Sequence, residues 1–298
     1  MKPNNKLFSL SILFCCGCLG AVAQNFPSTT LRGSSSSDAG KNMEVWSTNS
    51  LADISQEGNL VIPVKENGSF DYSFSLSQPS YFTIGYNTIY VKPGDMVSIV
   101  IDNEDPTKSV IAGTHSAINQ YLSGNASTHS GSYVAMMNRE RLTDATYADH
   151  FIDSVASTRF TQLKAIKDAD STFVRAEKAR IDADVINSYL SIPFYAGFED
   201  DSTKYQDFMG ERMNKISSLL KNICHDEYLD IENVRYVLQS CIQSPLFHTS
   251  IVWTPRLEDY VTSLYCSNLL DNKIDETTLS QVKSMIDSIK VAEFAEAV

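Results

Sequence analysis

Positive charge is scarce in this chain: 24 Lys and Arg stand against 36 Asp and Glu, a formal net charge of -12 with a pI near 4.8. Phosphate backbones are held by clustered Lys and Arg that release counterions, so nucleic acid is excluded as a partner. Long apolar runs are lacking too. The stretch from Leu7 to Leu19 is shorter than the roughly 20 residues a spanning helix needs, and no later segment offers such a run, so no membrane span is expected. Of the six cysteines, Cys15, Cys16 and Cys18 crowd the N-terminus and only Cys224, Cys241 and Cys266 follow. No Cys-x-x-Cys occurs after residue 23, which removes the thioredoxin-type redox motif from that part. Three cysteines permit at most one internal disulfide, from three pairings, and leave one thiol free or paired with another molecule. Burial on helices as small apolar side chains is the simpler expectation for them.

The motifs of common chemistries are absent as well. A phosphate loop needs four residues between its glycines before Lys, whereas Gly33 and Gly40-Lys41 enclose six. His225-Asp226-Glu227 has no second His one helical turn on, and His115, His129, His150, His225 and His248 are scattered without ligand spacing, so no zinc is expected. Asp102-Asn103-Glu104-Asp105 runs into Pro106 and Thr107, which breaks the alternation of a calcium loop. Asp168-Ala169-Asp170 and Glu199-Asp200-Asp201 read as solvated helix ends or loops. There is no G-x-S-x-G elbow and no Ser, His and Asp set for nucleophilic catalysis. No catalytic, cofactor or metal residue is assigned, and the chain leans away from an enzyme; scattered carboxylates brought together by the fold are the remaining enzymatic option.

What is present suffices to fold. At 298 residues, 43% hydrophobic, the chain has the length of about two domains and enough apolar content for a core without cross-links. Lys2, Lys6, the apolar run and Ala21-Val22-Ala23 before Gln24 spell a secretory signal over residues 1-23, hence export to the periplasm or cell envelope. Cys18 after Gly17 offers the rival reading of a lipid anchor, disfavoured by Cys15 where an aliphatic residue usually stands. Residues 24-44, with Ser34 to Ser37 flanked by glycines, read as a flexible Ser-rich linker.

Residues 45-113 alternate β-forming runs with turns: Asn59 to Val64, Phe70 to Leu76, Tyr81 to Tyr86, Thr88 to Val91, and Met96 to Ile101. Val97, Ile99 and Ile101 share the buried face of the last run. Lys92-Pro93-Gly94-Asp95 has the chemistry of a type II turn. Over residues 114-298 helical spacing takes over, with stripes through Phe151, Ile152, Val155, Leu163 and Ile166; Ile231, Val234, Leu238, Cys241 and Ile242; and Leu279, Val282, Met285, Ile286 and Ile289. Pro193, Pro245 and Pro255 read as helix ends or interhelical turns. The fold class is therefore α+β, a small antiparallel β-sandwich-like domain followed by a helical domain. Tyr81, Tyr86 and Tyr90 are the candidates for a ligand-binding aromatic face, although sheet packing accounts for them equally well.

Gly68-Ser69-Phe70, Pro79-Ser80-Tyr81, Tyr90-Val91-Lys92-Pro93-Gly94-Asp95, Gly113 and Asn119-Gln120-Tyr121-Leu122 occur in that order. Residues 58-122 thereby resemble the region that precedes the thioredoxin domain in envelope TlpA-like thiol-disulfide oxidoreductases of bacteria. The resemblance implies a small β-sandwich followed by helices, ahead of a redox domain that carries Trp-Cys-x-x-Cys. It carries over no catalytic residue, and Cys224, Cys241 and Cys266 do not correspond to the family's active-site pair. Two functions are expected, the first on this basis and the second on the aromatic side chains of the β-domain. The first is a non-catalytic envelope module that binds a partner protein, standing alone or belonging to a truncated oxidoreductase. The second is a secreted protein that holds a glycan or peptide.

Overall fold

The computed structural model describes residues 26-298 except 56-57, 103-104, 125-140, 142-143, 168, 199-200 and 273. The export signal over 1-23, the alternative anchor Cys18, His129, and the acidic residues Asp168, Glu199 and Asp200 lie outside the described residues. The strands are β1 (Ser28–Ser35), β2 (Asn42–Ser47), β3 (Leu60–Pro63), β4 (Ser69–Ser75), β5 (Ser80–Ile84), β6 (Asn87–Val91), β7 (Met96–Ile101) and β8 (Val110–Gly113). They form two four-stranded sheets, in the orders β4-β1-β7-β8 and β3-β2-β5-β6. Alternation places Leu31, Phe70, Val97, Ile99 and Ile111 of the first sheet against Val45, Ile62, Phe82, Ile84 and Ile89 of the second, a closed apolar core. The pairings are antiparallel except β1 with β7, which run parallel.

The Ser-rich stretch is where the sequence misleads. Ser28–Ser35 is an inner strand of the first sheet, paired along its length with β4 on one side and β7 on the other, and Asn42–Ser47 is an inner strand of the second. The expectation of a flexible linker over 24-44 is therefore corrected for these two strands. Composition measures what side chains can bury, whereas an inner strand is held by backbone hydrogen bonds on both edges and needs few apolar residues of its own. Gly33 serves this pairing: a Cβ there, at φ 154°, would sit 1.8 Å from the carbonyl oxygen of Ile99.

The turn at Lys92-Pro93-Gly94-Asp95 takes the expected form. The Asp95 amide donates to the Lys92 carbonyl at 3.0 Å, and Gly94 has φ +84°, as a type II turn requires. The Gly94 amide also donates to Thr29 Oγ1 at 2.9 Å, which ties the turn to β1.

The helices are α1 (Ala52–Ser55), inserted between β2 and β3, then α2 (Ser116–Gly124), α3 (Ala145–Ala165), α4 (Ser171–Tyr195), α5 (Ser202–Gly210), α6 (Met213–Ile223), α7 (Glu232–Gln243), α8 (Pro255–Leu270), α9 (Glu276–Ile286) and α10 (Ala292–Ala297). Asp170 and Asp201, each from an acidic cluster, are N-caps whose carboxylates accept amides of the first turn of α4 and α5. Pro255 opens α8 at its first turn. Pro193 lies inside the last turn of α4 rather than beyond its end. The helix then stops in a Schellman motif: Gly197, at φ 70°, donates to the Phe194 carbonyl, and Phe198 donates to the Pro193 carbonyl at 2.8 Å.

Two of the three apolar stripes face the interior, through Ile152 and Leu163 of α3 and through Val234, Leu238 and Cys241 of α7. Of the third, only Val282 is fully buried and Leu279 is exposed, because α9 packs chiefly on α8. Among the described residues no helix is long and apolar enough to cross a membrane.

Candidate functional site

The helical region docks on the outer face of the second sheet, and this docking decides the fate of the candidate tyrosines. Tyr81 and Tyr90 are cross-strand partners on that face. Their ring centroids lie 5.1 Å apart, and Phe173 of α4 covers them, 5.0 Å from Tyr90. Both are buried, at 5% and 2% exposure, so they cannot present a face to a ligand; Tyr86 alone, in the turn between β5 and β6, is open at 71%. The three do not form one surface. Alternation brought Tyr81 and Tyr90 to the outer face, and only the helices above it made that face interior.

Beneath Phe173 lies a buried ionic cluster. Arg180 forks onto Glu177 at 2.7 and 2.9 Å, Arg159 reaches Asp184 at 2.6 Å and Glu177 at 3.3 Å, and Tyr121 donates to Glu177 at 2.8 Å. Burial alone would raise the Glu177 carboxyl, but Arg180 and Arg159 bring it below the usual range. Asp184 moves the other way, because burial outweighs Arg159 and Arg180 there. Two cations and two carboxylates balance, which is what allows the group to be buried. The cluster's carboxylates are thus committed to structure.

The second contact between the regions is built around the segment from Thr48 to Ser55. The buried Arg235 of α7 donates to both Asp53 oxygens at 2.6 and 2.9 Å and to the carbonyls of Thr48 and Leu229 at 2.6 and 2.8 Å. Tyr260 of α8 also donates to Asp53, at 2.7 Å. Asp230 accepts the Ser50 amide and hydroxyl at 3.0 and 2.7 Å, and Gln78 at 3.1 Å. Burial would raise the Asp230 carboxyl, but Arg256, the Ser50 donors and Arg235 together hold it below the usual range. On the other flank, Lys92 of the turn pairs with the α4 cap Asp170 at 2.6 Å.

Beside this latch opens a cleft of about 240 Å³, lined by Trp46, Ser47, Thr48, Asn59 and Thr83 from the sheet side, Ala52 and Asp53 from α1, and Glu232 and Arg235 from α7. Trp46 is 47% exposed, on the outward phase of β2 opposite Thr83. Glu232 stands at the first position of α7, where a carboxylate complements the positive end of the helix. The cleft thus offers an aromatic wall, hydroxyl and amide groups and two carboxylates, one of which is already matched by Arg235. Sequence reasoning did not find it. Asp53 and Arg235 are 182 positions apart, and the one local sign was a Trp on the polar phase of a strand whose other phase holds Met43 and Val45.

The cysteines sit elsewhere. Cys224, Cys241 and Cys266 are free and buried. Burial raises all three thiols, that of Cys241 to about 12, with Cys224 adding to the effect there. His115 lies 3.5 Å from Asp95 near the turn, and among the described residues no three His, Cys, Asp or Glu side chains gather as metal ligands. Comparison with protein-family models, with curated proteins and with solved structures finds no match.

Proposed function

We propose that the chain is a non-catalytic, exported module of the cell envelope that binds a partner protein, of the kind that precedes the redox domain in TlpA-like oxidoreductases. The observation that carries this reading is the cleft beside α1, an open and partly polar recess assembled from both regions, with exposed Trp46 on one wall. Pockets of a few hundred Å³ with convergent polar groups are where proteins hold ligands. The thiols support the non-catalytic side: a nucleophilic cysteine needs a lowered pKa and access, and Cys224, Cys241 and Cys266 have neither. The test is a disulfide-reductase assay on the chain as exported, with insulin as substrate. Absence of turnover, together with saturable binding that Trp46→Ala removes, is expected. Catalytic reduction of insulin overturns the reading.

A second reading, a secreted protein that holds a glycan or a peptide, draws on the same Trp46, since an exposed indole stacks on sugar rings as readily as on side chains. Tyr81 and Tyr90 no longer support it, because they are interior.

A further inference from the structure

We propose that the cleft between β2 and α7 receives a cationic side chain, an arginine or lysine presented by the partner protein; this rests on the reading of the chain as a binding module and names what its site recognises.

The charges lining the cleft settle its sign. Arg235 is spent, with its guanidinium forked on Asp53 and on the carbonyls of Thr48 and Leu229. Asp53 is neutralised by the same pair. Glu232, the remaining charge on the wall, makes no ion pair among the described residues and meets only the partial positive end of α7, so the lining keeps a net negative charge. The chain as a whole adds to this field at -12, which steers cations toward it.

Trp46 supplies the second half of the recognition. A guanidinium or ammonium within about 6 Å of an aromatic face is attracted by the ring quadrupole, most strongly for Trp. The protein uses this arrangement internally. Arg212 lies 4.1 Å over the Phe208 ring and pairs with Asp149; Arg256 lies 5.5 Å over Phe294 and pairs with Glu293; Arg180 lies 5.6 Å over Tyr81 and pairs with Glu177. In each case one cation is held by a ring and a carboxylate together. Trp46 and Glu232 both line this one cleft, and its lining cation, Arg235, is already held by Asp53.

The experiment uses the exported chain carrying Trp253→Phe, which leaves Trp46 as its sole tryptophan, since the sequence has two. Its emission is followed during titration with a capped Gly-Gly-Arg-Gly-Gly peptide and with the citrulline twin, which has the same shape without the charge. Saturable quenching by the arginine peptide is expected. Binding should weaken about tenfold with citrulline or with Glu232→Gln, and weaken further with added salt. Glu232 is exposed, so a cooperative melting transition close to the parent's verifies that Glu232→Gln folds. Equal binding of the two peptides, or arginine binding indifferent to Glu232→Gln, overturns the proposal. So does saturable quenching by chitotriose with none by the arginine peptide, which assigns the cleft to a neutral sugar. Silence toward all three probes overturns it too. The non-catalytic reading fails on a different readout, turnover of insulin by the same protein.

Discussion

Asn119 of α2 takes both backbone groups of Tyr90: its Oδ1 accepts the Tyr90 amide at 2.7 Å and its Nδ2 donates to the Tyr90 carbonyl at 3.1 Å. Tyr90 belongs to β6, the edge strand of the second sheet. A side-chain amide thus does for one residue what a further strand would do, and it closes an edge that would otherwise bury two unpaired groups. Asn119→Ala should cost about 2–4 kcal/mol, whereas Gln120→Ala, whose side chain only brushes the Ile111 carbonyl, should cost less than about 0.5 kcal/mol. Urea unfolding of the two variants decides it; a cost below about 1 kcal/mol for Asn119→Ala refutes the capping role.

Gly33 predicts a second asymmetry. Gly33→Ala places a Cβ 1.8 Å from a backbone oxygen in the middle of a sheet, while at Gly40 the nearest atom is a flexible Glu66 methylene at 3.8 Å. The first substitution should destabilise by about 3 kcal/mol or more, and the second by about 1 kcal/mol from its φ alone. Equal costs in thermal melts would contradict the close approach of β1 to β7.

Arg235 ties the two regions together from a buried position. Arg235→Met strands Asp53 and two carbonyls and should cost about 3–5 kcal/mol. Arg235→Lys should recover little of this, because an ammonium cannot reproduce the fork. A double-mutant cycle with Asp53→Ala should return a coupling of about 1–3 kcal/mol; a value near zero would place the stabilisation elsewhere.

Asp230 makes the junction sensitive to acid. Its folded pKa is lowered, so it stabilises the native state above the ordinary carboxylate value of about 3.9 and loses that contribution as pH falls through the folded value. Asp230→Asn should therefore be less stable than the parent at pH 6, and the gap should shrink toward pH 2. A gap independent of pH in urea titrations would exclude a charged role for Asp230.

Tyr81 and Tyr90 separate packing from binding. Their hydroxyls are buried without a hydrogen-bond partner among the described residues, so Tyr81→Phe and Tyr90→Phe should change stability by less than about 1 kcal/mol, or raise it. Tyr90→Ala should cost about 3–5 kcal/mol through the cavity left against Phe173. Calorimetry on the three single variants tests both statements, and a large loss on removing only the hydroxyl would show that the oxygen has a use.

Local chemistry was enough for the sequence to determine the strands from β3 to β7, the type II turn at Lys92 to Asp95, the inward phase of Val97, Ile99 and Ile101, and the stripe of α7. Each depends on neighbours a few positions apart, where period, turn residues and caps express themselves. Asn119 and Tyr121 could be read as part of a motif, but their partners Tyr90 and Glu177 could not. Tertiary structure alone decided that a serine-rich stretch is an inner strand, since its hydrogen bonds come from β4 and β7. The same holds for Tyr81 and Tyr90, whose outer face becomes interior only when α4 covers it, and for the cleft, which joins Trp46 and Asp53 to Glu232 and Arg235. Burial and charge pairing belong to groups distant in sequence that the fold makes adjacent, and no local pattern carries that information.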